Sequence, residues 1–164
     1  MTAASPSRVA HGTFTIERRY DASPGRVFHA YSDPVVFRRW FVEGKGFTIH
    51  EWTHDFRVGG RSGGRFRHGG EGNDIWFNET EHLDIVPGQR IVLSYVMGRE
   101  TPQGPIRNSA SLSTTELVPD GDGTRLIYTE QGAFLESTDH IALREHGCRE
   151  MLEGLARDLR DHAR

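Results

Sequence analysis

Residues 46 to 131 read almost entirely as strands and turns, and residues 137 to 162 then form the one long amphipathic helix of the chain. One helix cannot cover a large sheet unless the sheet curls around it. A curled sheet gripping a single helix leaves an apolar hollow between the two. The chain therefore points first to a binding cavity and only second to any catalytic apparatus.

The elements follow from local signals. His11 to Tyr20 alternates around Phe14 and Ile16, which suits a first strand. Ser23 and Pro24 then supply a helix cap and first position, and Val27, Phe28 and Tyr31 form the apolar face. Asp33-Pro34 repeats that start at once, with Val36, Phe37, Trp40 and Phe41 at helical spacing. From Phe47 the period changes to that of strands. Expected segments are 47–57, 65–68, 75–86, 90–98, 108–118 and 124–131, separated by glycine-rich turns and a loop at 101–105. Successive strands on short turns should be antiparallel. On the last helix Ile141, Cys148, Met151, Leu152, Leu155 and Leu159 share one stripe. Gly147 and Gly154 flank it, either thinning the helix for a ligand or admitting a close backbone.

At 164 residues the chain fits one domain with a real core, preceded by a flexible arm over residues 1–11; the domain spans 12–164. A formal charge of −3 does not suit nucleic acid or an acidic membrane surface as partner. Cys148 is the sole cysteine, which excludes an internal disulfide and a multi-cysteine zinc site. No segment has the roughly 20 apolar residues of a membrane span, and the N-terminal residues lack a signal-like apolar run. The expectation is a cytoplasmic protein without membrane insertion; a homodimer is compatible with the sequence.

Several motifs tempt. His50-Glu51-Trp52-Thr53-His54 matches the H-E-x-x-H zinc signature, which works only on a helix. This segment reads as a strand, where four residues span about 13 Å and two imidazoles cannot grip one ion. The tract from Gly59 to Gly70 resembles an Arg-Gly RNA-binding run, yet it lies inside the folded region and reads as strand connections. Histidines elsewhere lack ligand spacing, so no metal or other cofactor is expected. No nucleophile–base pair at fixed spacing supports a catalytic assignment.

Taken together, Asp33-Pro34, Phe37, Arg39-Trp40-Phe41, Asp55-Phe-Arg-Val-Gly-Gly-Arg61, Gly121-Asp-Gly-Thr-Arg-Leu126, Thr129-Glu-Gln-Gly-Ala-Phe134 and Arg144-Glu-His-Gly147 resemble the SRPBCC (START-like) superfamily. Within it the chain is similar to the activator of heat-shock protein 90 ATPase homologue family, over roughly residues 12 to 162. The resemblance implies an α+β helix-grip fold: a curved antiparallel sheet of about seven strands around a long C-terminal helix, with two short helices after the first strand. The family name suggests a stress-response setting. It does not carry the co-chaperone's function, because that protein relies on an additional N-terminal domain. Many relatives carry Trp after the helix glycine; Cys148 stands there here, removing bulk from the expected cavity.

Strand alternation selects the expected cavity wall. Leu126, Tyr128 and Glu130 share one face, and Leu93, Tyr95 and Met97 another. Ile141, Cys148, Met151 and Leu152 come from the helix, Arg144 and Glu145 guard a mouth, and Trp40, Phe66, Trp76 and Phe134 complete the walls. Glu130 is the polar residue of interest. Desolvation would raise its pKa and suit it to acid–base work or to anchoring a ligand, whereas a salt bridge to Arg144 would make it structural. The preferred function is non-enzymatic binding or sensing of a small hydrophobic molecule. Alternatives are a cyclase/dehydratase-like enzyme using Glu130, Tyr95 or His68, and a chaperone-accessory interaction module.

Overall fold

Two proline-led helices open the first crossover because each has a capping oxygen in place. The computed structural model describes residues 8–68, 74–136 and 140–163. In it, strand β1 (Ala10–Tyr20) is followed by α1 (Pro24–Ser32) and α2 (Pro34–Phe41). The Ser23 hydroxyl accepts from the Arg26 N–H at 3.2 Å, and Asp33 Oδ1 accepts from the N–H groups of Val35 and Val36, both at 2.9 Å. Asp33 thus ends one helix and starts the next, which bends the chain sharply enough to close one end of the sheet.

Six strands follow: β2 (Phe47–His54), β3 (Arg61–His68), β4 (Ile75–Val86), β5 (Arg90–Thr101), β6 (Gly104–Asp120) and β7 (Gly123–Phe134). The final helix α3 runs from Ile141 to Asp161, with His140 Nδ1 accepting from the Leu143 N–H at 3.2 Å. The strands form one seven-stranded sheet in the order β1-β7-β6-β5-β4-β3-β2, antiparallel at every neighbour. Consecutive strands pair along β2 to β7, as short turns require. Only β1 departs, crossing by way of α1 and α2 to pair with β7. The helix-grip architecture read from the sequence is the one found.

The boundaries shift in informative ways. Strand β1 begins at Ala10, inside the span assigned to the arm, because it pairs with β7 through Phe134. Strand β3 begins at Arg61, so Gly63 and Gly64 lie within a strand and not in a turn. A side-chain carbon at Gly64 would stand 2.3 Å from the Glu51 carbonyl and 2.8 Å from the Phe66 ring, a space only glycine leaves open. The expected loop at 101–105 is a tight turn, since Thr101 pairs with Gly104. The turn expected at 69–73 and the helix start at 137–139 lie outside the described residues.

The core sits where α1, α2 and α3 meet one half of the sheet. Phe14, Ile16, Val27, Leu126, Leu152 and Leu155 are buried at its centre. Gly12 lets α3 approach β1: a side-chain carbon there would stand 2.6 Å from Ile141 Cγ1. Polar ties lock the helix on. The Tyr20 hydroxyl donates to the Leu152 carbonyl at 2.9 Å, and Arg39 grips Asp158 of α3 through two bonds of 2.6 and 2.9 Å. Gly154 meets the close-packing reading, with the Trp40 carbonyl 3.2 Å from its missing side chain. Gly147 does not meet the close-packing reading, since nothing lies within 4 Å of it.

Candidate functional site

Cross-strand register fixes which side chains share the concave face, because directly opposed residues point the same way. One row runs Glu130, Ser113, Leu93 and His82. The next runs Gly132, Ser111, Tyr95, Thr80, Ser62 and His54. A third runs Phe134, Ser109, Met97, Asn78, Gly64 and Trp52, and a fourth Arg99, Trp76, Phe66 and Ile49. Three groupings emerge on this surface.

The first is an ion-pair network under the start of α3. Glu130 is fully buried. Its Oε1 accepts from the Tyr95 hydroxyl at 2.6 Å and from Arg144 Nη1 at 2.9 Å; its Oε2 accepts from the Tyr128 hydroxyl at 2.7 Å. Arg144 also donates to Ser109 at 2.6 Å and Ser111 at 3.2 Å, and stacks over the rings of Tyr95 and Phe134. Cys148 Sγ lies 3.4 Å from Glu130 Oε2. Burial by itself pushes the Glu130 carboxyl up, but the two tyrosine hydroxyls and the Arg144 guanidinium outweigh it and hold the group below its ordinary value. Glu130 is therefore an ionised, saturated acceptor. The desolvated acid with a raised pKa is not realised, and the salt bridge to Arg144 is. Burial, reinforced by the Glu130 charge, pushes the Cys148 thiol up to about 12, so it stands as a neutral S–H. Tyr95 and Tyr128 are raised too, mainly by burial, and remain donors.

The second grouping is a string of three side chains that carries its own proton direction. His54 Nε2 lies 2.8 Å from the Tyr31 carbonyl, which can only accept, so this nitrogen donates. His54 Nδ1 then accepts from Ser62, 3.0 Å away, and Ser62 accepts from His82 Nε2 at 3.0 Å. The remaining His82 Nδ1 is a buried lone pair without a partner among the described residues. Burial first, then the neighbouring His54, pulls His82 down to about 4, and burial lowers His54 as well. Both imidazoles are neutral near pH 7. Sequence reading weighed His54 only for zinc and missed the string, which joins β2, β3 and β4.

The third grouping is an aromatic floor beyond the reach of α3. Trp52, Phe66, Trp76 and Met97 are half-buried, unlike the buried Phe134 on the same row as Met97 and Trp52. Trp52 lies 6.1 Å from Phe66 and 5.9 Å from Phe41, centroid to centroid. Its Nε1–H is shielded from solvent without an acceptor among the described residues. Two shallow surface hollows lie elsewhere, about 260 Å³ between β1 and α3 and about 220 Å³ around Arg65 and Pro105.

The proposed wall residues divide accordingly. Tyr95, Tyr128, Glu130, Phe134, Arg144 and Cys148 come together in the ion-pair network. Phe66, Trp76 and Met97 lie on the floor, and Leu93, Ile141, Met151 and Leu152 pack against or within the core. Trp40 is not on this surface: its indole N–H donates to Ala30, and its ring belongs to the α1–α2 cluster. Arg144 is no mouth guard but a buried partner, whereas Glu145 pairs with Arg149 at 3.0 Å on the outside. His68 packs against Trp76 and Phe47, apart from Glu130. The H-E-x-x-H segment is strand β2 with a register shift at His50. No group of three or more candidate metal ligands occurs among the described residues.

A curved antiparallel sheet holding a long terminal helix over a polar-lined concave wall defines a helix-grip protein of the START-like class. Residues 21–160 match the family model described as Activator of Hsp90 ATPase homolog 1-like protein, and the chain belongs to that family. It is similar to the solved structure of Mll3558 from Rhizobium loti: 51% identity, TM-score 0.82, covering 93% of this chain and 100% of that one. A putative uncharacterized protein from Rhizobium leguminosarum shares 30% identity with a TM-score of 0.85, covering 94% and 98% of the two chains. The AHSA1-like protein from Aeromonas hydrophila, at 17% identity and TM-score 0.65 over 93% and 94%, shares the fold. No curated protein matches the sequence.

Proposed function

We propose that this chain binds a small apolar molecule in the groove between the start of α3 and strands β2 to β5. The observation that carries this reading is the gathering of half-buried Trp52, Phe66, Trp76 and Met97 on neighbouring rows of the concave face. Large aromatic side chains gathered in a concave wall give apolar area to a ligand, and a few fixed polar groups orient it. The Glu130–Arg144 network serves as the rigid inner wall, because every oxygen of the carboxylate is already engaged. That saturation favours a carrier or sensor over an acid–base catalyst working through Glu130. No cofactor enters this reading.

Trp52 and Trp76 provide the assay. Titration of the protein with apolar probes should change their fluorescence saturably, and native mass spectrometry of freshly purified protein should show a co-purifying small molecule. Tryptophan emission indifferent to every apolar probe, together with a clean apo mass, would leave the groove without a role.

A further inference from the structure

Among the described residues, six of the arginines that are buried or half-buried have an acceptor. Arg18 has Glu153, Arg26 the Leu159 carbonyl, Arg38 Glu43, Arg39 Asp158, Arg65 Glu51 and Glu100, and Arg144 Glu130. Arg99 is half-buried, and no described residue accepts from it. It is not at a random place. Register sets it opposite Trp76 and in line with Phe66, one position along the concave face from Met97. Its chain neighbour Glu100 points to the other face and is committed to Arg65 at 2.6 Å. A half-buried guanidinium on a residue opposite Trp76, without a counter-charge among the described residues, is poised for an anion, because the fork of donors gains most where water is partly excluded.

The second unused group is also a donor: the shielded Trp52 Nε1–H, on the row next to that of Arg99. Strand spacing puts Arg99 about 13 Å from Tyr95, four residues back along β5, so the cation stands at the outer end of the groove. We infer that the ligand is an amphipathic acid, its apolar body on the Trp52–Phe66–Trp76 floor and its carboxylate on Arg99. This rests on the groove reading above and adds to it the sign and the place of the head group.

The experiment titrates the full chain with decanoate and with decanol, following tryptophan fluorescence, in the wild type and in Arg99→Gln and Arg99→Lys. A charged hydrogen-bonded pair contributes about 1.5–3 kcal/mol, which converts to roughly 10- to 150-fold in affinity. Wild type should bind decanoate at least about ten-fold more tightly than decanol. Arg99→Gln should lose most of that margin while holding decanol within about two-fold, and Arg99→Lys should keep part of it. Added salt should weaken decanoate and leave decanol unchanged, a readout that needs no variant. Equal affinity for acid and alcohol in the wild type overturns the inference and leaves the groove standing. Loss of both ligands in the wild type removes the groove itself and the inference with it. Decanoate affinity unmoved in Arg99→Gln places the head group elsewhere and also overturns it.

Discussion

Arg144→Met isolates what the buried ion pair does for stability. Glu130 has no solvent exposure and faces Arg144 at 2.9 Å, so removing the guanidinium leaves a carboxylate supported by the hydroxyls of Tyr95, Tyr128 and Ser111 and the weak Cys148 contact. Breaking a buried pair from one side costs roughly 3–5 kcal/mol, and the two tyrosine hydroxyls place this case toward the lower figure. For a domain of this size, each kcal/mol lowers Tm by about 2–4 °C, giving a fall on the order of 10 °C. The pH dependence is the sharper test. In the wild type the Glu130 carboxyl lies below its ordinary value, so its contribution is present above the unfolded pKa of about 4.3 and is lost as pH falls through the lower folded value. In the variant, burial without the cation raises the carboxyl above that value, and the sign reverses: stability is regained on acidification. Urea unfolding of both proteins from pH 8 to pH 5, monitored by circular dichroism, should show the gap between them narrowing as pH falls. A gap below about 1 kcal/mol, or one constant across that range, would refute the assignment of Glu130 as an ionised group needing Arg144.

Three further outcomes are expected. His82 titrates at about 4 when folded against about 6.5 unfolded, so its contribution is present above pH 6.5 and falls away below it; wild type should lose about 2 kcal/mol between pH 7 and pH 5, and His82→Gln should flatten that slope in urea melts. Gly12→Ala drives a carbon to 2.6 Å from Ile141, an overpacking worth about 1–3 kcal/mol, and Ile141→Ala in the same chain should recover much of it in a double-mutant cycle. Arg39→Lys loses the two-bond grip on Asp158 and should lower stability by about 1–2 kcal/mol, with near-native circular dichroism, as the helix pair loosens.

The fold was legible because its signals are local and agree with one another. Ser23-Pro24 and Asp33-Pro34 mark the two helix starts, and both serve as caps. Strand boundaries were less legible where glycine stands for close packing: Gly63 and Gly64 look like a turn, yet the ladder passes through them. The site was half legible. Alternation put Tyr95, Tyr128 and Glu130 on an inward face, and Arg144 falls in the same helical stripe as Ile141 and Cys148, a charge in an apolar row that was itself a signal. The ionisation of Glu130 could not be read, because it depends on hydroxyls from two strands arriving within 2.7 Å. The string of His54, Ser62 and His82 was hidden for a similar reason, since register between three strands is set by tertiary packing, and residues 54, 62 and 82 carry no spacing that announces them.

The sheet order has a consequence for how the chain is made. Among the described residues strand β1 pairs with β7 alone, and the Thr15 and Thr129 hydroxyls meet across that pair at 3.2 Å. During synthesis β1 must therefore wait, edges bare, until residues 123–134 have left the ribosome. Arg144 arrives later still, so Glu130 has to be desolvated last, when α3 folds down over it. Vectorial translation would thus make docking of the terminal helix the committing step, and ribosome-stalled chains ending before residue 140 should stay open to protease along β1.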